Sequence, residues 1–271
     1  MSKVFIVDIA KCNGCYGCQI ACKDEHCETD WRPYAASQPD IGQFWMRVDE
    51  KTRGQIPVVR VSYTPTFCAH CADAPCEAAC AEGAFKRRDD GLLLIDPDIC
   101  SGCGSCVKSC PQGSIYFNDE LGLAQKCTGC AHLLDNGWQV PRCVDVCSHD
   151  AILYMEESEV ADLLADAEFI EGLAGFGPRV YYRNLPKRFV AGSAIDFVAD
   201  EVVIGAKVLL LDGADRVAEQ TTDWYGDFKF DQVAPADYRV AIEMDGYARK
   251  EASADVREID LFIGEIGLDK V

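Results

Sequence analysis

The chain has 271 residues, is 49% hydrophobic and carries a formal charge of −19, which together exclude a disordered polymer and argue against nucleic acid or anionic lipid as partners. No run approaches the roughly 20 apolar residues of a membrane span. The opening Met1-Ser-Lys-Val-Phe-Ile-Val-Asp is too short and is broken by Asp8, so it does not read as a signal peptide. The expected location is cytoplasmic, or outside it only in company with a signal-bearing partner.

In chain order, Val4-Phe5-Ile6-Val7-Asp8 reads as a strand leading into a first cysteine block, Cys12, Cys15, Cys18 and Cys22. An insertion, residues 23–67, follows with Trp31, Pro33, Tyr34, Phe44 and Trp45; aromatics at that density in a connecting segment cover either a buried group or a partner surface. The second block is Cys68, Cys71, Cys76 and Cys80. Leu92-Leu-Leu-Ile-Asp-Pro97 is a strand before the third, Cys100, Cys103, Cys106 and Cys110, and Ile115-Tyr-Phe117 is its return strand. The fourth block, Cys127, Cys130, Cys143 and Cys147, has a long internal gap holding His132, Leu133, Leu134 and Trp138, expected to form a short helix and turn before Ile152-Leu-Tyr154. This rhythm of strand, loop, short helix and strand predicts a duplicated bacterial-ferredoxin-like domain over residues 1–155.

Residues 156–172 have helical periodicity, with Val160, Leu163, Leu164, Ala167 and Ile170 on one face and Ser158 placed to cap. Gly172, Gly175, Gly177 and Pro178 end it, and residues 179–186 read as an extended strap, so 156–188 forms a connector. From residue 189 cysteine disappears and short strands follow at 205–211, 216–221, 227–230, 238–242 and 259–263, with turns at Asp212-Gly213, Tyr225-Gly226 and Asp245-Gly246. That pattern predicts a small antiparallel sandwich over 189–271, making the whole chain α+β.

Sixteen of the 17 cysteines fall in the four blocks, leaving only Cys27. Sixteen thiolates suffice for four [4Fe–4S] clusters, and a two-residue gap lets the chain curl round a cube while backbone N–H groups turn toward its sulfurs. The fourth cysteine of a block is expected to start a helix that leads away toward a neighbouring cluster. A disulfide scaffold fits poorly with an odd count at short regular spacing, and zinc sites more often use two well-separated pairs. Cys27 reads as a small buried apolar residue. His26, His70, His132 and His149 read as neighbours of clusters or packing groups, and Lys126 either as a residue that tunes a cluster or faces a partner's pterin, or as a solvated surface lysine. No nucleophile–base set or nucleotide fingerprint is present, so no catalytic residue is assigned to this chain.

The order and spread of the blocks resemble the iron–sulfur subunits of molybdopterin oxidoreductases. The motifs carrying the resemblance are Pro65-Thr66-x-Cys68-x-His70-Cys71, Ala74-Pro75-Cys76, Ala124-Gln-Lys-Cys127-Thr-x-Cys130-Ala-His-Leu-Leu-Asp135 and Pro178-Arg-Val-Tyr-Tyr182. With Gly205-Ala-Lys-Val208 and Tyr225-Gly-Asp-Phe-Lys-Phe230, the chain is most similar to the branch of pyrogallol–phloroglucinol transhydroxylase, resorcinol hydroxylase and catechol dehydroxylases. The resemblance implies a transthyretin-like or carboxypeptidase-regulatory-like tail that braces the complex or caps the large subunit. It also implies four nested ligand sets: Cys12, Cys15, Cys18 and Cys147; Cys22, Cys127, Cys130 and Cys143; Cys68, Cys71, Cys76 and Cys110; and Cys80, Cys100, Cys103 and Cys106. It further implies a large catalytic partner in a heterodimer, carrying bis-molybdopterin guanine dinucleotide with Mo or W, and an external electron carrier. In the transhydroxylase small subunit the third block is understood to be degraded, whereas here it is complete. This favours net hydroxylation or reductive dehydroxylation of a phenol over redox-neutral transhydroxylation. A free-standing polyferredoxin is the alternative electron carrier, and a purely structural metal module the alternative outside electron transfer.

Overall fold

The computed structural model describes residues 2–271, which divide into two units: residues 2–50 with 63–185, and residues 51–62 with 186–271. The sequence placed 51–62 in an insertion of the first domain; in the structure this tip of a hairpin belongs with the second unit.

In the first unit the strand Lys3–Asp8 is the centre of a three-stranded sheet. It runs antiparallel to Ile152–Glu156, pairing Val7 with Ile152, and parallel to Val180–Arg183, pairing Phe5 with Val180. Its run of apolar residues is buried on both faces: Phe5 and Val7 enter the main core with Trp45, Phe67, Leu94, Ile152 and Tyr182, while Val4 and Ile6 pack with Val160 on the other side. Two short hairpins, Phe85–Arg87 with Leu93–Ile95 and Ile115–Asn118 with Leu123–Lys126, carry the cysteine loops between them. The 23–67 insertion contains a hairpin, Met46–Gln55 with Val58–Phe67, that the sequence reading did not place.

The helix expected over 156–172 is mostly absent. A 3-10 turn at Glu157–Glu159 and one helical turn at Ala161–Leu164 are all that form before the chain extends. The cause lies in a strand partner: the Glu168 N–H donates to the Tyr182 carbonyl at 2.7 Å and the Tyr182 N–H to the Glu168 carbonyl at 2.8 Å, so this backbone is committed to a bridge. The strap after Pro178 is the strand Val180–Arg183.

The second unit has two four-stranded sheets. In one, Arg188–Asp196 is antiparallel to Asp227–Val233 and Glu201–Val202 but parallel to Leu261–Gly267, a departure from the all-antiparallel expectation. The other is antiparallel in the order Asp215–Thr221, Lys207–Asp212, Asp237–Glu243, Lys250–Asp255. Alternate residues of both sheets share one core: Val190, Phe228, Phe230 and Ile266 from the first, and Val208, Leu210, Val240 and Ile242 from the second. The hairpin tip is fastened by charge, since Arg53 donates to both oxygens of the buried Asp260 at 3.1 and 3.2 Å, and Asp260 accepts the Phe189 N–H at 3.0 Å. Asp260→Ala leaves a largely buried guanidinium with the Lys187 carbonyl but no counter-ion, and the Phe189 N–H without its acceptor; the expected cost is about 3 kcal/mol, read as a lowered urea midpoint for the second unit.

Candidate metal centre

Each cysteine loop is a tight curl that requires left-handed backbone. Gly14 has φ +71°, and a Cβ there would lie 2.5 Å from the Tyr63 ring; Gly102 has φ +73°, and a Cβ would lie 2.1 Å from the Gly122 carbonyl oxygen. Helices follow at Gly17–His26, Pro75–Ala78, Ser105–Ser109 and Arg142–Asp145. They include the third cysteine of each block, Cys18, Cys76, Cys106 and Cys143, and the fourth lies four residues on. The expected placement is thereby corrected: the fourth cysteine does not begin a helix but sits inside one (Cys22) or at its far end. In Gly17–His26, which holds both Cys18 and Cys22, four residues of helix separate the two by about 6 Å along the axis on the same face, so that one helix addresses two neighbouring sites.

The structure brings the sixteen cysteines together from distant segments. Cys12, Cys15, Cys18 and Cys147 line one cavity with Tyr16, Val48 and Ile152. Cys80, Cys100, Cys103 and Cys106 line another with Phe85, Ile95 and Ala124. Cys22, Cys127, Cys130 and Cys143 are all buried, and burial raises Cys22 and Cys143 well above the ordinary thiol value, with the closeness of their sister sulfurs adding to it. Burial likewise pushes Cys76 up to about 12 and Cys71 to about 11, each raised further by Cys68 and Cys110. Cys18 is pushed up to about 12 by burial and by Cys12, Cys147 and Cys15, and Cys106 to about 11 by burial and by Cys100, Cys80 and Cys103. The sets adjoin: Cys22 feels Cys18, Cys127 feels Cys68, and Cys71, Cys76, Cys80, Cys100, Cys106 and Cys110 share one core cluster. The end sets reach the surface through the exposed Cys15 and Cys103.

This donor set suits iron–sulfur cubes. It offers thiols as donors, with Cys12, Cys15, Cys18 and Cys147 round one cavity and Cys80, Cys100, Cys103 and Cys106 round another. A cube spreads its ligands over four irons, wider than a tetrahedral zinc site does. Burial makes a bare thiolate costly at these positions, and cationic iron would remove that penalty by binding thiolate directly. Backbone N–H groups point at the sulfurs where charge would accumulate. Ala84, Ser114 and Ala151 donate to Cys80, Cys110 and Cys147 at 3.4, 3.4 and 3.3 Å, and Gly129 and His70 to Cys127 and Cys68 at 3.3 and 3.5 Å.

The four histidines surround the sets. His26 Nε2 lies 4.0 Å from Cys130 Sγ, and burial pushes its imidazole down to about 3, so it is neutral there. His132 stacks on Trp31 with ring centroids 4.2 Å apart and meets Glu25 at 3.0 Å, while Trp45 packs on His26 at 4.7 Å. The aromatic insertion thus covers the Cys130 side of this buried set. His70 accepts the Leu93 N–H at Nδ1, and His149 meets Asn13 beside the Cys12 cavity. Cys27 is not the buried apolar residue expected: it is half-buried, lies outside the four sets, and its thiol donates to Asp40 at 3.6 Å. Lys126 is not a surface lysine but only 3% exposed. The Asp223–Gly226 segment is a turn, with Trp224 and Tyr225 exposed at its tip.

A family model described as a 4Fe–4S dicluster domain matches residues 59–157. The chain is 37% identical over 269 residues to the pyrogallol hydroxytransferase small subunit of Pelobacter acidigallici, covering 94% of this chain and 96% of that one. It is 31% identical to the arsenate respiratory reductase iron–sulfur subunit of Shewanella sp. (strain ANA-3), covering 65% and 94%, and 33% identical to a tetrathionate reductase subunit of Archaeoglobus fulgidus, covering 67% and 82%. Coverage of 94% includes most of the second unit, so the likeness to the first relative extends beyond the cysteine blocks. No helix of the described residues is long and apolar enough to cross a membrane.

Proposed function

This chain belongs to the iron–sulfur subunits of molybdopterin oxidoreductases, and from that premise we propose that it holds four [4Fe–4S] clusters and relays electrons between a molybdopterin catalytic subunit and an external carrier. The observation that carries the count is the gathering of sixteen thiols into four adjoining sets. The ligands are Cys12, Cys15, Cys18 and Cys147; Cys22, Cys127, Cys130 and Cys143; Cys68, Cys71, Cys76 and Cys110; and Cys80, Cys100, Cys103 and Cys106. Bound clusters supply one-electron carriers. The protein's part is to bury Cys22, Cys127, Cys130 and Cys143, to aim N–H groups at the inner sulfurs of Cys68, Cys110 and Cys127, and to leave Cys15 and Cys103 at the surface.

The partner is a catalytic chain with a bis-pterin Mo or W centre, acting on a phenol or catechol by hydroxylation or reductive dehydroxylation. The complete third block, with its own cavity, supports a continuous path for electrons. The second unit acts as a transthyretin-like brace or cap in that complex. The 37% identity to a pyrogallol hydroxytransferase small subunit supports transhydroxylation as the second reading.

Anaerobic co-expression with the catalytic chain tests both. The expected result is about sixteen irons per copy of this chain, EPR signals on reduction, and viologen oxidation or reduction in step with phenol turnover. Zinc without an EPR signal removes the electron-transfer reading; turnover without viologen moves the complex to transhydroxylation.

A further inference from the structure

Lys126 ends the strand Leu123–Lys126, every residue of which is buried, and its own side chain is 3% exposed. Its ammonium donates to the carbonyl oxygens of Leu93 and, at 3.1 Å, Cys127. Among the described residues no carboxylate forms an ion pair with it. The Leu93 N–H in turn donates to His70 Nδ1, and the His70 backbone N–H points at Cys68 Sγ. Lys126 thus stands between the set containing Cys127 and the set containing Cys68, and its charge acts on Cys71, Cys76 and Cys127, opposing the effect of burial on all three.

A buried ammonium without a counter-ion is costly, and two carbonyl dipoles do not replace a counter-ion. What balances the charge here is thiolate: the two flanking sets become anionic when they hold metal. The same reasoning works in reverse. A fixed positive charge in a low-dielectric wall favours an added electron on either side of it, and solvent screens it little.

We infer that Lys126 is a positioning charge for electrons, raising the reduction potentials of the two inner clusters above the values their burial alone would set. The inference rests on the four-cluster reading proposed above. The step affected is a one-electron reduction in which no bond forms or breaks; in a titration, dithionite supplies the electron.

The test is an EPR-monitored redox titration of the full complex carrying Lys126→Met, Lys126→Gln or Lys126→Arg, with iron analysis of each. Gln keeps a donor for the two carbonyls without the charge, and Arg keeps the charge. The expected result is at least a tenfold fall in the reduction equilibrium constant, equal to 59 mV for a one-electron couple, for one or two clusters in the Met and Gln variants. The remaining clusters and the Arg variant stay near the parent values. Unchanged potentials in an iron-replete Met or Gln variant, or an equal shift at all four clusters, overturn the inference. If neither neutral variant retains iron, retention by Arg supports the charge requirement, and its loss there as well assigns Lys126 to packing and overturns it. Failure of the parent complex to bind about sixteen irons is a separate result, which removes the four-cluster reading itself.

Discussion

Cys143→Ala is expected to remove about four of sixteen irons and to interrupt the relay at its middle. Cys143 is fully buried, lies on the short helix Arg142–Asp145, and shares its surroundings with Cys22, Cys127 and Cys130. No water or exposed side chain can take its place as a ligand at a buried position. Because the sets adjoin in series, loss of an inner one leaves no neighbouring set to carry the electron round it. Viologen-linked turnover of the complex should fall by on the order of 100-fold or more, the upper range for disturbed metal sites. Cys15→Ser, at an exposed end, is expected to fall less, because its oxygen can ligate and solvent can reach it. Equal effects at Cys143 and Cys15, or undiminished turnover with iron lost, would refute a serial path through the inner set.

Removing iron anaerobically is expected to split the behaviour of the two units. The core of the first contains its own ligands, with Cys18, Cys22, Cys68, Cys127 and Cys143 among its buried members. Metal binding to such sets is folding free energy, on the order of 10 kcal/mol for a structural zinc. The core of the second contains no cysteine. Hydrogen exchange should therefore rise across residues 2–50 and 63–185 while 51–62 and 186–271 keep their protection. The pH dependence reverses with loading. In the iron-free chain, burial raises folded thiols from an ordinary value near 9 to about 11 for Cys71 and about 12 for Cys76, so the folded state binds more protons than the unfolded one. What stability remains is full below about pH 9 and declines as the pH rises toward those folded values. In the loaded chain the ligands are thiolates, and protons compete with iron, so stability declines as the pH falls. Chelator-release rates and thermal midpoints, each followed from acid to alkaline pH, measure the two slopes. The same sign in both forms would show that the cysteines do not carry iron as thiolates.

Much of this was legible along the chain. The x2 and x3 spacings identify the loops because only a tight curl presents successive sulfurs to one centre, and the alternation in Lys207–Asp212 and Asp237–Glu243 marks strands with one buried face. Arg188–Asp196 was not legible. It is central to its sheet, yet Gly192 and small residues weaken its strand pattern. A Cβ at Gly192 would lie 2.8 Å from Ile263 and Phe228, so packing demands the residue that lowers the strand signal. The hairpin Met46–Gln55 with Val58–Phe67 was hidden because its tip packs within the second unit and its base within the first, leaving no uniform alternation. The helix over 156–172 was overread because periodicity ignores the bridge partner supplied by Tyr182.

The chain by itself determined the donor atoms on offer, sixteen thiols in four blocks, and the curl of each loop, all of them local properties of spacing and glycine placement. Tertiary structure decided which distant cysteines meet, because each set takes sulfur from at least two blocks that strand pairing and core packing bring together. It also decided the placement of Lys126, whose identity is plain in sequence but whose burial between two sets depends on the strand that Leu123–Lys126 forms with Ile115–Asn118. Charge and ligand type are carried by single residues, while dielectric and proximity are properties of everything folded around them.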